Sequence, residues 1–294
     1  MKHTGIYIIS FLFTALSATA NPTLESYRLY DNSGKEVSFG EMVDSLGEAE
    51  VVFIGENHNC PISHWMEYEI TKALHDKHGD KLKIGEEMLE ADNQLLIDEY
   101  FSNLISYDRF ETEARLWDNY STDYYPVVYY AKDNGIPMIA TNVPRRYANA
   151  VNNGGLECLE AFTQEAKNYM APLPIPFEYD EEGSADKFGI MMMLSRKTPE
   201  EMKRLAEAQA LKDATMGWFI SKNMEPDTRF VHLNGTMHSN GGEGIIPYLK
   251  HYRPETKIAT VTSLRVEDIT SLDPEYLGMA DFYIVVPEDF PTSY

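Results

Sequence analysis

Short apolar runs alternate with longer helical patterns along most of this chain, and this alternation constrains the fold more than any other feature. Segments with apolar residues at helical spacing include 62–78, 92–103 and 241–252. Strands that alternate with helices favour right-handed crossover connections, so the sequence predicts an α/β fold with a mainly parallel sheet flanked by helices. The six runs that predict buried strands are rich in β-branched and aromatic residues and lie at 51–54, 82–84, 137–140, 230–233, 258–261 and 282–286.

The strand-like runs fall into two groups with a long segment between them. Residues 21–143 hold three runs and residues 226–294 hold three more, and we expect them to form the two halves of one α/β core. Residues 144–225 carry a long helical pattern and predict a helical cap insertion. Within it, the run GIMMML at 189–194 is typical of core filler, although methionines also suit a flexible wall for a flat hydrophobic ligand.

The first residues have the pattern of an export signal. Lys2 precedes an apolar run at 6–16, and the small triplet Ala18-Thr19-Ala20 follows it. We therefore expect residues 1–20 to be a signal peptide that is cleaved after Ala20, which predicts an exported, periplasmic or secreted protein. No later run is long and apolar enough to predict a transmembrane span. In an oxidising compartment Cys60 and Cys158 could form a disulfide or remain two unrelated thiols.

The charge of the chain excludes some classes of partner. Its 47 acidic and 25 basic residues give a formal charge of −22, which repels nucleic acid and anionic membrane surfaces. A small anionic ligand would need a local basic group, and the adjacent Arg145 and Arg146 are the candidates for one.

Four of the predicted strands end in residues that can titrate, ligate a metal or bind an anion. In parallel sheets, ligands bind beyond the carboxyl ends of the strands, where the loops leave the sheet. The first and fourth strands each run into a GxxH pattern, GENH at 55–58 and GTMH at 235–238. The glycines are expected to let the chain turn sharply and a ligand approach the backbone. The side chains that we expect to line one crevice are those of Glu56, His58, Glu87, Arg145 and His238.

This set of side chains is compatible with two kinds of site. His58, His238 and Glu56 could ligate a divalent metal, or the histidines and the carboxylates of Glu56 and Glu87 could act as general acids and bases. Glu87 is preferred to its neighbour Glu86 because adjacent residues of a strand point to opposite faces. A GxxH spacing is a weak pattern, so ordinary polar loop histidines are a further alternative. His64 is near enough in sequence to support the site from behind.

A tyrosine-rich segment follows the second predicted strand. Most of its tyrosines fall on one side of a helix and predict packing against the sheet or the cap. The alternative is that one of them is a phenolate ligand of ferric haem. The segment spans 117–131 and contains Tyr120, Tyr124, Tyr125, Tyr129 and Tyr130.

Five segments together resemble the ChaN-like haem-binding family, and the resemblance runs from about residue 45 to 265. They are GExH at 55–58, GEEMLEADNQ at 85–94, WDNYSTDYYPVVYYAKDNGIPMIATNVPRR at 117–146, AQALKDATMGWFI at 208–220 and GTMHSNGGEGIIPYL at 235–249. That family is similar in fold to Tiki-type metalloproteases and erythromycin esterases. The site that the resemblance implies consists of Glu56, His58, Glu87, Arg145, His238 and, from the cap, Asp213.

The sequence and the resemblance are therefore compatible with two functions. The first is a haem-binding protein of haem and iron uptake, with His58, His238 and Arg145 as cofactor-binding residues. Dimerisation around stacked haems and contact with outer-membrane uptake machinery are compatible with this function. The second is a hydrolase that depends on Zn, Mn or Co, with Glu56, Glu87, Arg145 and Asp213 in catalytic roles. The aromatic and methionine-rich surroundings favour haem, and the additional carboxylates favour the hydrolase.

Overall fold

The computed structural model describes residues 24–179 and 197–294 and contains one sheet of seven strands with helices on both faces. The predicted signal peptide, 1–20, and the methionine run, 189–194, lie outside the described residues. The sheet order is β1-β7-β6-β2-β5-β3-β4, and all neighbouring strands are parallel except β1, which pairs antiparallel with β7. The strands are β1 Arg28–Asp31, β2 Val51–Glu56, β3 Leu82–Glu90, β4 Met138–Asn142, β5 Arg229–Gly235, β6 Ile258–Val266 and β7 Phe282–Pro287.

The predicted α/β fold with a mainly parallel sheet is confirmed, and each of the six predicted strands is present. Several strands are longer than their apolar runs. Strand β3 continues through the buried residues Glu86 and Glu87. Its pairing is made by backbone groups and does not require apolar side chains. The edge strand β1 was not predicted, since its four residues, RLYD, carry no long apolar pattern and depend on pairing with distant β7.

Nine α-helices connect and cover the strands in the described part of the chain. Two of them begin with a capping box, in which a Ser or Thr and the Glu three residues later exchange hydrogen bonds with the backbone. The helices are α1 Phe39–Leu46, α2 Pro61–His78, α3 Gln94–Phe101, α4 Tyr107–Glu113, α5 Tyr125–Asp133, α6 Arg145–Gly154, α7 Gln164–Lys167, α8 Pro199–Asn223 and α9 Ile245–Tyr252. No helix within 24–179 or 197–294 is long and apolar enough to cross a bilayer.

The sheet has two differently covered faces. Val52 and Ile54 of β2 pack in a core with residues of α2, whereas Val51 and Phe53 pack with residues of α8 and α9. Because strand residues alternate between faces, Glu56 continues the α2 side at the end of β2. Polar residues near the strand ends therefore face α2 on one side of the sheet and α8 and α9 on the other.

Helices α8 and α9 pack so closely that the backbone of one lies against the backbone of the other. A Cβ atom added to Gly217 of α8 would lie 2.9 Å from the amide nitrogen of Leu249 and 3.0 Å from the Cβ of Tyr248. The neighbouring backbone cannot yield as a flexible side chain would, so glycine is required by the packing at this position.

We expect the substitution Gly217→Ala to lower the free energy of unfolding by about 1–3 kcal/mol, the usual cost of overpacking, although alanine favours helix. The matched control is Gly40→Ala in α1, where an added Cβ meets nothing within 4 Å. Urea denaturation of both variants measures the difference. Equal stability of Gly217→Ala and the unchanged chain would contradict the proposed backbone contact.

Candidate functional site

A cavity of about 1060 Å³ lies beyond the carboxyl ends of the central strands, with α8 and α9 on its other side. All six residues implied by the sequence and by the family resemblance border it, and Asp213 comes from α8. Its walls combine flat or apolar side chains with ionisable ones. The lining includes Trp117, Phe177, Lys212, Met237, Tyr248, Glu56, His58, Glu87, Arg145, Asp213 and His238.

His238 lies between two carboxylates on the floor of the cavity. Its Nε2 is 3.1 Å from Oε1 of Glu87, and its Nδ1 contacts Oδ1 of Asp213 on α8. The amide of Gly235 donates to Oε2 of Glu87 at 2.9 Å, which fixes the second carboxylate oxygen. Burial acts to lower the pKa of His238, but the charges of Glu87 and Asp213 raise that pKa to about 10. Against burial, the charge of His238 holds the pKa of Glu87 well below its ordinary value.

His58 is the more accessible of the two GxxH histidines, with a side chain that is 34% exposed. Its Nδ1 is 2.6 Å from Oε1 of Glu56, and its ring packs edge to face on Trp117 with ring centroids 4.8 Å apart. A carboxylate on Nδ1 fixes the orientation of the imidazole and leaves Nε2 as its other donor or acceptor atom.

The two GxxH patterns meet because Gly235 has no side chain. Its backbone has φ −60° and ψ 145°, which any residue adopts, so the turn at this position does not require glycine. An added Cβ would instead lie 2.7 Å from Nε2 of His58 and 3.5 Å from Oε2 of Glu87. The glycine thus allows the imidazole of the first pattern to lie on the backbone of the second.

Behind His58, the second oxygen of Glu56 enters a buried polar cluster on the α2 side of the sheet. Oε2 of Glu56 lies 2.7 Å from Nδ1 of His64, which is also 3.3 Å from Oε2 of Glu67. Against burial, both carboxylates raise the pKa of His64 to about 11, and the two imidazoles bring the pKa of Glu56 below its ordinary value. Burial, with the charge of Glu56, raises the pKa of Glu67 to about 8.

This cluster was only partly anticipated from the sequence. His64 was expected to support the site, but Glu67 and Glu86 were not included. The usable signal was the i, i+3 spacing of His64 and Glu67, which puts both on one face of a helix. Burial raises the pKa of Glu86 well above its ordinary value, so this residue differs sharply from its neighbour Glu87.

The two adjacent arginines have different surroundings. Arg145 is exposed at the start of α6 and borders the cavity, and it has no ionic or hydrogen-bonded partner within the described ranges. Nη1 of Arg146 instead donates to Oδ2 of Asp92 at 2.6 Å, and Arg146 also donates to the hydroxyl of Tyr147. Arg145 is therefore the arginine that is available to an anion in the cavity.

The tyrosine segment packs as the first of its two interpretations predicts. Tyr120 and Tyr124 are buried, and the hydroxyl of Tyr124 donates to Oε1 of Glu56 at 2.9 Å. None of the five tyrosines between 117 and 131 borders the cavity. Cys60 and Cys158 are free thiols.

The ion pairs of His238 predict a pH dependence of stability. Below its ordinary pKa of 6.5, His238 is protonated in both states, whereas between 6.5 and about 10 only the folded chain keeps the proton. The stabilisation by Glu87 and Asp213 is therefore complete below pH 6.5 and is lost as the pH rises towards 10. Between pH 6.5 and about 9.5, we expect the free energy of unfolding to fall less in Asp213→Asn than in the unchanged chain.

Urea denaturation at several pH values measures this difference. The control Glu200→Gln removes an exposed carboxylate from the same helix and should keep the pH dependence of the unchanged chain. An unchanged pH dependence in Asp213→Asn would show that this carboxylate does not hold the proton of His238.

Known proteins match both the sequence and the fold. The sequence profile of the family described as "Haem-binding uptake, Tiki superfamily, ChaN" matches residues 42–249. No curated protein sequence matches the chain significantly.

Solved structures of other proteins share the fold at low sequence identity. The structure with cofacial haem binding to ChaN of Campylobacter jejuni is 20% identical, with a TM-score of 0.69, and the alignment covers 89% of this chain and 97% of that chain. A Bacillus cereus protein is 10% identical, with a TM-score of 0.50 and coverage of 89% and 95%. These similarities establish the fold, and the profile match extends over most of the chain. The chain therefore belongs to the ChaN family of haem-binding uptake proteins in the Tiki superfamily.

Proposed function

We propose that this chain is an exported haem-binding protein of haem and iron uptake, and that haem binds in the cavity beyond the strand ends. The observation that carries the proposal is one cavity that joins flat apolar walls, an oriented imidazole and the cationic side chains of Arg145 and Lys212. Its volume of about 1060 Å³ is at the upper limit of ordinary ligand pockets, roughly 300–1,000 Å³, and leaves room for a macrocycle.

The residues of the cavity fit the chemistry of haem. Trp117, Phe177, Met237 and Tyr248 offer aromatic and thioether surfaces against which a porphyrin can pack. His58 is the proposed iron ligand, because Glu56 holds its Nδ1, while its Nε2, beside the backbone of Gly235, has no hydrogen-bond partner among the described residues. Haem bound here would supply a redox-active iron centre.

His238 has a different proposed role from His58. Both of its nitrogens contact carboxylates, Glu87 through Nε2 and Asp213 through Nδ1. An imidazole held on both sides cannot coordinate iron without giving up one of these contacts. We therefore propose that His238 does not bind iron. Its role is to hold Glu87 in place and, through Asp213, to attach α8 to the sheet.

The cations of the cavity match the two propionates of haem. Arg145 has no partner among the described residues, and Lys212 borders the same cavity. In a chain of charge −22, these two cations are the local basic exception that an anionic ligand requires.

Membership in a haem-binding uptake family supports the proposal, as does the cofacial haem binding of ChaN of Campylobacter jejuni. Export is the part of the proposal that rests on the N-terminal sequence pattern, with cleavage after Ala20. Stacking of haems between two copies of the chain and transfer from outer-membrane uptake machinery extend the same proposal.

A metal-dependent hydrolase is the second candidate, favoured by the convergence of His58, His238 and Glu87 around Gly235. These residues would hold Zn, Mn or Co, which would supply an activated water, and His238 would have to release Glu87 or Asp213 to bind the metal. Glu56 is less suited to this cavity site than the sequence suggested, because the oxygen on the cavity side, Oε1, already contacts His58 and Tyr124.

Haem titration of the purified chain tests the proposed iron ligand. We expect a Soret shift that saturates at stoichiometric haem, and a changed spectrum with at least tenfold weaker binding in His58→Ala, about 1.4 kcal/mol. The control His75→Ala removes an imidazole of α2 that hydrogen-bonds Tyr130 away from the cavity. Absence of haem binding by the folded chain, together with about one equivalent of a metal lost in His238→Ala, would favour the hydrolase.

Arg145 and Arg146 provide a second test of the proposed haem position. Arg145→Gln should weaken haem binding about fivefold, which corresponds to about 1 kcal/mol for a partly exposed ion pair, and more so at low salt. Arg146→Gln is the matched control, because its guanidinium is already paired with Asp92 outside the cavity. Equal effects of both substitutions would argue against Arg145 as the propionate-binding residue.

A further inference from the structure

A second group of polar side chains lies between the sheet and α2, on the other side of Glu56 from the cavity. We call Glu56, His64, Glu67 and Glu86 the buried carboxylate cluster. Their exposed fractions are 1%, 4%, 1% and 0%, so water does not solvate their charges. The haem proposal uses only one oxygen of Glu56 and leaves the rest of this cluster without a role.

The cluster has the spacing of a metal site. One ligand atom from each of Glu56, His64 and Glu67 can be chosen so that all three atoms lie within 4.8 Å of one another. Nδ1 of His64 faces Oε2 of Glu56 at 2.7 Å and Oε2 of Glu67 at 3.3 Å. A cation between these atoms would have one nitrogen and at least two oxygen ligands.

The other ring nitrogen of His64, Nε2, has hydrogen-bond partners of the kind that metal-binding imidazoles usually have. This atom lies 3.3 Å from Oδ2 of Asp123 and 3.3 Å from the carbonyl oxygen of His58. The amide of Asn119 donates to Asp123 at 2.7 Å and to the same carbonyl at 3.1 Å. These contacts favour a proton on Nε2, so Nδ1 is the nitrogen that would bind a cation, which would displace the proton that the two glutamates hold there.

Several carboxylate oxygens of the cluster lack a partner. Oε1 of Glu67 and both oxygens of Glu86 are buried without a hydrogen bond in the described part of the chain. Burial and the charges of Glu67 and Glu56 raise the pKa of Glu86, whose side chain lies on the same face of β3 as that of Ile84, towards α2. No lysine or arginine of the described ranges pairs with any of the three glutamates. Buried carboxylates of this kind require a cation or protons for neutrality.

We propose that the buried carboxylate cluster binds one divalent first-row cation through Nδ1 of His64 and the carboxylates of Glu56 and Glu67. Glu86 lies outside this ligand set and adds a further buried carboxylate on the same face of the sheet. A nitrogen ligand with carboxylates selects Mn²⁺, Fe²⁺ or Zn²⁺ over the oxygen-preferring Ca²⁺ and Mg²⁺. The site is closed to solvent, so the ion would stabilise structure rather than perform catalysis.

The ion would also act on the cavity through Glu56. With Oε2 bound to the cation, Oε1 still accepts from Tyr124 at 2.9 Å and meets Nδ1 of His58 at 2.6 Å. Metal binding would thus fix the carboxylate that orients His58. The metal site itself does not depend on the haem proposal.

The test uses Mn²⁺ as the probe and the purified full chain in the absence of haem. The chain is refolded with Mn²⁺, passed through gel filtration with a weak chelator, and analysed for bound metal and thermal stability. We expect about one equivalent of Mn²⁺ in the unchanged chain and in Glu69→Gln, whose carboxylate on α2 pairs with Lys72 at the surface. Glu67→Gln should retain less than about a tenth of an equivalent and should lose the rise in Tm with Mn²⁺.

Two further variants locate the ion. Asp123→Asn leaves the proposed ligands in place and should weaken Mn²⁺ binding by about 10- to 100-fold, as loss of a partner of a ligating histidine does. His238→Ala alters the cavity and should retain the metal. Release of Mn²⁺ by His238→Ala but not by Glu67→Gln would place the ion in the cavity and overturn the proposal.

A folded, unchanged chain that retains no Mn²⁺ and shows no change in Tm would also overturn it, because protons alone would then neutralise the cluster. That result would leave haem titration unaffected. Conversely, retention of Mn²⁺ by a chain that does not bind haem would support the buried site and reject the haem proposal.

Discussion

The carboxylate of Glu56 is the contact on which both polar regions of this protein depend. It ends the central strand β2, and each of its oxygens lies against a different imidazole, His58 at 2.6 Å and His64 at 2.7 Å. One oxygen belongs to the cavity and the other to the interior between sheet and helix. A charge at this position is tolerable only because both sides supply hydrogen-bonding partners. The sheet end therefore connects a ligand cavity to a buried cluster through one side chain.

The alternation of strand residues separates the remaining polar groups. Glu86 and Glu87 are adjacent in β3, yet Glu86 lies in the cluster under α2 and Glu87 contacts His238 beneath α8. The opposite directions of their pKa changes follow from this separation, because Glu87 forms an ion pair with His238, whereas burial and the neighbouring carboxylates dominate at Glu86. Two identical side chains thus acquire different chemistry from a single backbone step.

The location of the site could be predicted from the sequence more readily than its contacts. Parallel strands bring their carboxyl ends together, so His58 and His238 could be assigned to one edge of the sheet from their GxxH patterns. Asp213 could be included only through the family resemblance, since nothing in its local sequence relates α8 to the strand ends. The pairing of Glu56 with His64 depends on how α2 returns across the sheet, and that is a tertiary contact. Strand β1 was missed for the same reason, because its partner β7 lies more than 200 residues away.

The backbone contact at Gly217 has a consequence for how the cavity can change shape. Helix α8 carries Asp213, and α9 follows directly on the loop that carries His238, so their close packing joins both ends of that ion pair. These two helices and His238 would move as one rigid body. Any widening of the cavity must then occur across the boundary between this body and the His58–Trp117 pair. Opening of the pocket would therefore separate the two GxxH histidines, because His58 lies on one side of this boundary and His238 on the other.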